Sequence, residues 1–208
     1  MRQRASRQLA PQVCRLHNLI YIISLGAKGF LYDPVESTIQ DSERTVRQIQ
    51  HQLNQLANTW RGVLPDNLYV KSMGLLINFV VNDITSSILL LEDIGADFAF
   101  QLHQLFGQLI EFLPQLLRTG DQVAEDSSSS SSPTNAVDNL FKLVPKWQRF
   151  TELHLVLNAN LSEISDRWAD GKGQLAAVFS AFEVKNVVRA LFENNEKRAR
   201  VLKMIDSY

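Results

Sequence analysis

Val46-Arg47-Gln48-Ile49-Gln50-His51-Gln52-Leu53-Asn54-Gln55-Leu56-Ala57-Asn58-Thr59-Trp60-Arg61-Gly62-Val63 decides the fold class of this chain. Val46, Ile49, Leu53, Leu56, Trp60 and Val63 recur at spacings of 3, 4, 3, 4 and 3, an a/d seam on one face of an α-helix. The flanking positions carry Gln50, Gln52, Ala57 and Thr59. A free coiled coil would place Glu and Lys there, so the seam reads as a bundle helix facing its own neighbours. Gly62 and Pro65 mark its end.

The same periodicity continues outward. A second helix is expected from near Asn67 to about Leu91, with Leu75, Leu76, Ile77, Phe79, Val80, Val81, Ile84 and Ile88 making it apolar on most faces. Such a helix belongs in the centre of a bundle. Lys71, Asn78, Asn82 and Asp83 within it argue against a membrane span. Glu92 to Asp97 reads as a turn, with Asp97 placed to N-cap the next helix. That third helix carries Phe98, Leu102, Leu105, Leu109, Phe112 and Leu116 on one stripe, and Pro114 should kink or end it near Leu113.

From 119 to 139 the composition breaks. Six serines, Ser127 to Ser132, sit among Gly120, Asp121, Glu125, Asp126 and Pro133. With almost no apolar residues the segment reads as a disordered spacer loop, with the serines open to phosphorylation. Leu140 to Trp147 reads as an extended re-entry, because Pro145 disfavours helix at Val144. A fourth helix is expected to carry Phe150, Leu153, Leu157, Leu161, Ile164 and Trp168 on one face. It should stop at Asp170-Gly171-Lys172-Gly173, where glycines suit a C-cap. After a short apolar turn, Leu175 to Phe179, the capping box Ser180-Ala181-Phe182-Glu183 starts a last helix. It presents Val184, Val187, Val188, Leu191, Leu202 and Ile205.

Composition excludes several functions. The 208 residues carry 45% hydrophobic and 21% charged side chains and a net charge of -1, which disfavours direct nucleic-acid binding through phosphate neutralisation. Cys14 is the only cysteine, so neither an internal disulfide nor a cysteine-based zinc site can form and a reducing compartment is the natural reading. Arg2, Arg4, Arg7 and Arg15 precede any acid, as in a transit peptide, but equally as in a basic helix at the cut end of a fragment. The apolar run Leu19 to Leu25 is far shorter than the ~20 residues a spanning helix needs.

Asp166-Arg167-Trp168-Ala169-Asp170-Gly171-Lys172-Gly173 has the look of a calcium or phosphate loop. Counted from Asp166, the third ligand position is Trp168 and the twelfth is Ala177, which refuses an EF-hand. Gly171-Lys172-Gly173 and Gly26-Ala27-Lys28-Gly29 lack the glycine spacing of a phosphate loop and the hydroxyl after lysine. His17, His51, His103 and His154 are scattered, none with another three or four positions away, so no metal-ligating pair is legible. Cys14 and His17 lack an orienting carboxylate. The expectation is no enzyme, no cofactor and no metal. Trp168 continues the apolar stripe and should be buried, with Arg167 and Asp170 near the helix end.

These eight residues, with Leu175-Ala176-Ala177, Phe179-Ser180, Glu183-Val184-Lys185 and Arg189-Ala190-Leu191-Phe192, resemble the C-terminal end of the zeste-white-ten family of kinetochore and vesicle-tethering proteins. Val144-Pro145-Lys146-Trp147, the run from Val46 through Trp60 to Pro65, Lys71, Met73-Gly74 and Leu91-Glu92-Asp93-Ile94 fit the same pattern. The residues 28–42 and the serine run do not. The resemblance marks Trp60, Trp147, Asp166, Arg167, Trp168, Asp170, Gly171 and Gly173 as structural motif residues. It implies an all-α, elongated helical bundle of the multisubunit tethering-complex type. Residues 1–35 would be a partial helix of a preceding bundle, and 36–208 the C-terminal bundle.

What the resemblance implies of function is a non-enzymatic scaffold subunit. With Rod and Zwilch it would serve a kinetochore complex that recruits dynein and dynactin indirectly, through Spindly, and supports the spindle checkpoint. With NAG and the Rad50-interactor it would tether Golgi-derived vesicles at the endoplasmic reticulum. Placement would be cytoplasmic, at kinetochores in mitosis, and peripheral on the endoplasmic reticulum membrane through partners. A peripheral membrane-binding helical module is the alternative.

Overall fold

In the computed structural model, residues 36–118 and 140–206 are described, with the backbone alone over 36–41. The expectations placed on 1–35 and on the serine-rich 119–139 segment, including Cys14 and His17, lie outside the described residues. All regular structure among the described residues is helical. The helices are α1 (Glu36–Arg61), α2 (Asp66–Leu89), α3 (Ala96–Phe112), α4 (Trp147–Leu157), α5 (Leu161–Trp168), α6 (Gln174–Val178), α7 (Ala181–Leu191) and α8 (Glu196–Asp206). A 3₁₀ turn, Leu113–Leu117, extends α3.

The Val46 seam builds the first face of the core. Val46, Ile49, Leu53, Leu56 and Trp60 are all buried. Val63 is not: α1 ends at Arg61, and Val63 lies beyond it, 64% exposed. The chain turns there through amides of Val63 and Leu64 that both donate to the Trp60 carbonyl.

Helix α2 lies against α1, α4, α7 and the 3₁₀ turn. Met73, Leu76, Ile77, Val80, Val81, Ile84 and Ile88 are buried, whereas Leu75 points outward at 68% exposure. It is the one helix among the described residues long and apolar enough to cross a bilayer, but 56% of that window is buried against the protein. Polar atoms on α2 fix its neighbours. Tyr69 donates its hydroxyl to the Leu116 carbonyl at 2.7 Å, and Asn78 Oδ1 accepts the Lys146 amide at 2.8 Å, just before α4. Gly74 admits the Leu143 side chain closely: a Cβ there would stand 2.9 Å from Leu143 Cβ.

The start of α3 corrects one expectation. Gly95, not Asp97, occupies the N-cap, and Asp97 sits in the first turn, where its charge still favours the positive end of the helix dipole. At the other end Pro114 acts as anticipated: the α-helix stops at Phe112 and the chain tightens into the 3₁₀ turn. Leu140 to Trp147 departs from its extended reading. Residues 140–143 form a helical turn, closed by the Val144 amide on the Leu140 carbonyl at 2.8 Å. Pro145 restricts only Val144, the residue before it, and leaves the preceding turn helical.

The expected fourth helix is two helices. α4 ends at Leu157 and α5 begins at Leu161. Asn160 is the cause. Its side chain accepts from the Ser162 and Glu163 amides while Glu163 returns to the Asn160 amide, a full capping box. The last helix also divides, into α7 and α8, around residues 192–195. There Arg198 donates to the carbonyls of Phe192 and Arg189, and Asn195 Oδ1 accepts the Arg198 amide. The Ser180–Glu183 capping box at the start of α7 stands as read.

Packing places α4 at the junction. It meets α3, α2 and α6. Phe150 is fully buried against Phe106 of α3, ring centroids 5.1 Å apart. α5 then packs on α6 and α8, and α7 on α8 and α2. Ile94, in the α2–α3 turn, donates its amide to Ala190 of α7 at 2.9 Å, tying the last helices back to the first.

Candidate functional site

The Asp166–Gly173 stretch forms the end of α5 and the turn into α6. Trp168 is 4% exposed, within the same core as Leu153, Ile164 and Leu175. Its carbonyl accepts two turn amides, Gly171 at 3.1 Å and Gly173 at 2.9 Å. The reversal begins earlier than the glycines. Ala169 and Asp170 have φ of 43° and 53°, and Gly171 follows at 76°. Left-handed backbone costs a non-glycine residue roughly 1–2 kcal/mol. The local hydrogen bonds and the buried indole offset that strain.

Gly173 serves a different need. Its φ is −79°, ordinary for any residue. A Cβ there would fall 1.9 Å from the Arg167 carbonyl oxygen, so the constraint is backbone crowding. Gly173→Ala should therefore lower the thermal midpoint far more than Gly171→Ala, whose cost is left-handed strain of about 1 kcal/mol. Thermal melts of the two variants compare them directly.

Arg167 anchors the turn to α4. Its Nε donates to Glu152 Oε2 at 3.0 Å, and Nη2 reaches both carboxylate oxygens at 2.7 Å and Gln174 Oε1 at 3.2 Å. The Glu152 side chain is 6% exposed. A buried carboxylate at that position requires such a partner. Nothing in the local pattern around Glu152 marked it; the signal was the arginine in the motif.

A second ion pair runs parallel. Arg149 of α4 pairs with Glu183 of α7, lies 4.6 Å above the Phe179 ring, and donates to the Val178 carbonyl at 3.0 Å. Burial raises the Glu183 pKa, but hydrogen bonds from Ser180 and Arg149 outweigh it and leave the carboxyl below its usual range. One helix, α4, therefore holds the α5–α6 turn and the α6–α7 junction through two arginine–carboxylate contacts.

The motif residues are only partly brought together. Arg167, Trp168 and Gly173 form the interior of the turn, with Asp166, Asp170 and Gly171 exposed on its outside. Trp60 and Trp147 are buried, at 7% and 5% exposure, on α1 and at the first residue of α4. No group of three or more potential metal-ligating side chains exists among the described residues. The arrangement is that of a structural clamp, with Glu152 and Glu183 each paired to an arginine.

Sequence spacing missed one cluster. His103 and His154, fifty-one positions apart, stack across the α3–α4 contact with ring centroids 4.0 Å apart. Large apolar side chains on the outside are the other feature available for recognition. Leu68 and Leu75, one heptad apart on α2, are 41% and 68% exposed, with exposed Lys71 between them. Phe100, Phe141, Leu155 and Phe182 are exposed elsewhere.

Residues 44–205 match the family described as the ZW10 C-terminal helical domain. The chain is 38% identical over 179 residues to the centromere/kinetochore protein zw10 homologs of Rattus norvegicus and Mus musculus, covering 86% of this chain and 22% of each relative. It is 32% identical over 162 residues to the centromere/kinetochore protein zw10 of Drosophila melanogaster, covering 78% of this chain and 20% of that protein. The chain thus spans about a fifth of the length of these relatives. The matched region takes in every helix from the Val46 seam to Ile205, and this chain belongs to the family of the ZW10 C-terminal helical domain.

Proposed function

We propose that this chain is a non-enzymatic docking module of a centromere/kinetochore protein. The family match over residues 44–205 carries the reading. The capped and clamped helices support it, because they leave large apolar side chains outside a core that is otherwise closed. In this reading the module docks on Rod, within the assembly that also holds Zwilch and leads to dynein and the spindle checkpoint. The corresponding docking in endoplasmic reticulum tethering is on NAG, in an assembly with the Rad50-interactor. Membrane association in either setting comes through partners. The protein works in the cytoplasm, at kinetochores in mitosis, and peripherally at the endoplasmic reticulum.

The face of α2 with Leu68, Lys71 and Leu75 is the first candidate for the contact. Exposed leucines one heptad apart on a helix have the spacing with which an amphipathic helix meets a partner. Purified chain should capture Rod or NAG in a pull-down, and Leu75→Asp should lose capture while keeping its helical circular dichroism. Absence of capture by demonstrably folded chain would remove the docking reading. Flotation with anionic vesicles, lost at high salt, would put membrane binding in its place.

A further inference from the structure

The His103 and His154 rings are nearly parallel, 12° between planes, across the contact between α3 and α4. His103 Nδ1 lies 2.9 Å from the His154 carbonyl oxygen. A carbonyl only accepts, so Nδ1 carries the proton and Nε2 is the free site of the neutral ring. His154 sits over a glycine: a Cβ on Gly107 would stand 3.5 Å from its Nε2. Both rings are half-buried.

Charged side chains lie on the helices packed around the pair. α3 carries Asp97 and Glu111, six and eight positions from His103. α1, packed on α3, carries Glu43, Arg44, Arg47, His51 and Arg61, and Arg47 already pairs with Glu43. On α4, Arg149 is committed to Glu183 and Glu152 to Arg167. α2 brings Asp66, Lys71 and Asp83, and Asp83 has its own interaction. α6 has no charged side chain. Burial first, and then the neighbouring His103, hold the His154 pKa below its ordinary value of 6.5, against a smaller hydrogen-bond contribution from His103 in the other direction.

We propose that the His103–His154 stack is a pH-sensitive clasp joining the first three helices to the last five. With at most one ring charged, it holds α3 against α4. With both charged, two like charges in contact at a half-buried seam repel and loosen it. The folded protein then binds fewer protons at this pair than the unfolded chain does. The clasp therefore contributes its full stability above about pH 6.5 and loses it as pH falls below that value. Carboxylates as a class titrate at lower pH, so the window between about pH 7.5 and 5.5 isolates the histidines.

Thermal melts of the 208-residue chain across that window test the clasp, alongside His154→Phe, which keeps a flat ring without a titrating nitrogen, and His51→Gln, which removes an exposed histidine. The midpoint of the unaltered chain and of His51→Gln should fall at least about 3 °C more than that of His154→Phe, a shift well resolved for a chain of this size. An equal fall in all three overturns the clasp. Histidine ring resonances of the unaltered chain give a reading that does not depend on the variant folding. The His154 ring should titrate below the ordinary histidine value, held down by burial and by the neighbouring His103. A His154 titration at the ordinary value overturns it as well.

Discussion

Trp168→Ala should unfold the module or bring it close to unfolding. The side chain is 4% exposed and its backbone carbonyl closes the turn through two amides. Loss of a buried tryptophan costs about 3–5 kcal/mol, against total stabilities of about 5–15 kcal/mol for a folded domain. The strain at Ala169 and Asp170 adds to the effect, because the indole is what holds α5 in place while the chain reverses. Urea unfolding followed by circular dichroism measures the loss. A variant that stayed folded within 1 kcal/mol of the parent, on the order of a surface change, yet no longer bound a partner would make Trp168 a contact residue and not a core one. Trp168→Phe is the informative companion. The indole Nε1 is buried with no hydrogen-bond partner among the described residues, and an unpaired buried donor costs about 1–3 kcal/mol. Phenylalanine removes that N–H with one ring, so its net cost should be well under half that of alanine.

The parts of this fold legible in the sequence are those set by residues within one helical turn of each other. The Val46–Trp60 seam, the stop at Pro114 and the Ser180–Glu183 box each rest on neighbours three or four positions apart. The breaks inside the expected fourth and last helices were hidden by that same regularity. Leu157, Leu161, Ile164 and Trp168 continue at spacings of 4, 3 and 4, so the apolar stripe keeps its phase although the helix does not. Asn160-Leu161-Ser162-Glu163 held the necessary signal, since an Asn followed three positions later by Glu is a capping box. Leu191 to Leu202 gave less warning, because Arg198 takes up the free carbonyls from the far side of the break.

Contacts made by docking were not legible. His103 meets His154 and Arg167 meets Glu152 only once α4 has been placed against α3 and the end of α5 has been brought to α4. A spacing rule that looks three or four positions away cannot find a pair separated by fifty-one. The Asp166–Gly173 stretch was readable as a turn but not as a clamp, since its second half, Glu152, lies on another helix.

That clamp yields the other large effect. Arg167→Ala leaves the Glu152 carboxylate, 6% exposed, without the guanidinium that accompanies it. Removing one partner of a buried pair costs about 3–5 kcal/mol. Arg167 is 29% exposed, so some water reaches the site and the lower end, about 3 kcal/mol, is expected. For a chain of this length that is about 6–12 °C in the thermal midpoint. Glu152→Ala should cost less than half as much, because the arginine it releases can swing into solvent and retain its bond to Gln174. The double variant should then resemble Glu152→Ala alone, since no buried charge remains. A double-mutant cycle by thermal melting separates this from simple packing. Additive losses would mean that the two side chains stabilise the junction independently. A coupling of about 2 kcal/mol or more would mean that the arginine is there to make a buried acid tolerable. That acid, in turn, fixes the angle at which α5 leaves α4, and so the position of everything from the Trp168 turn to α8.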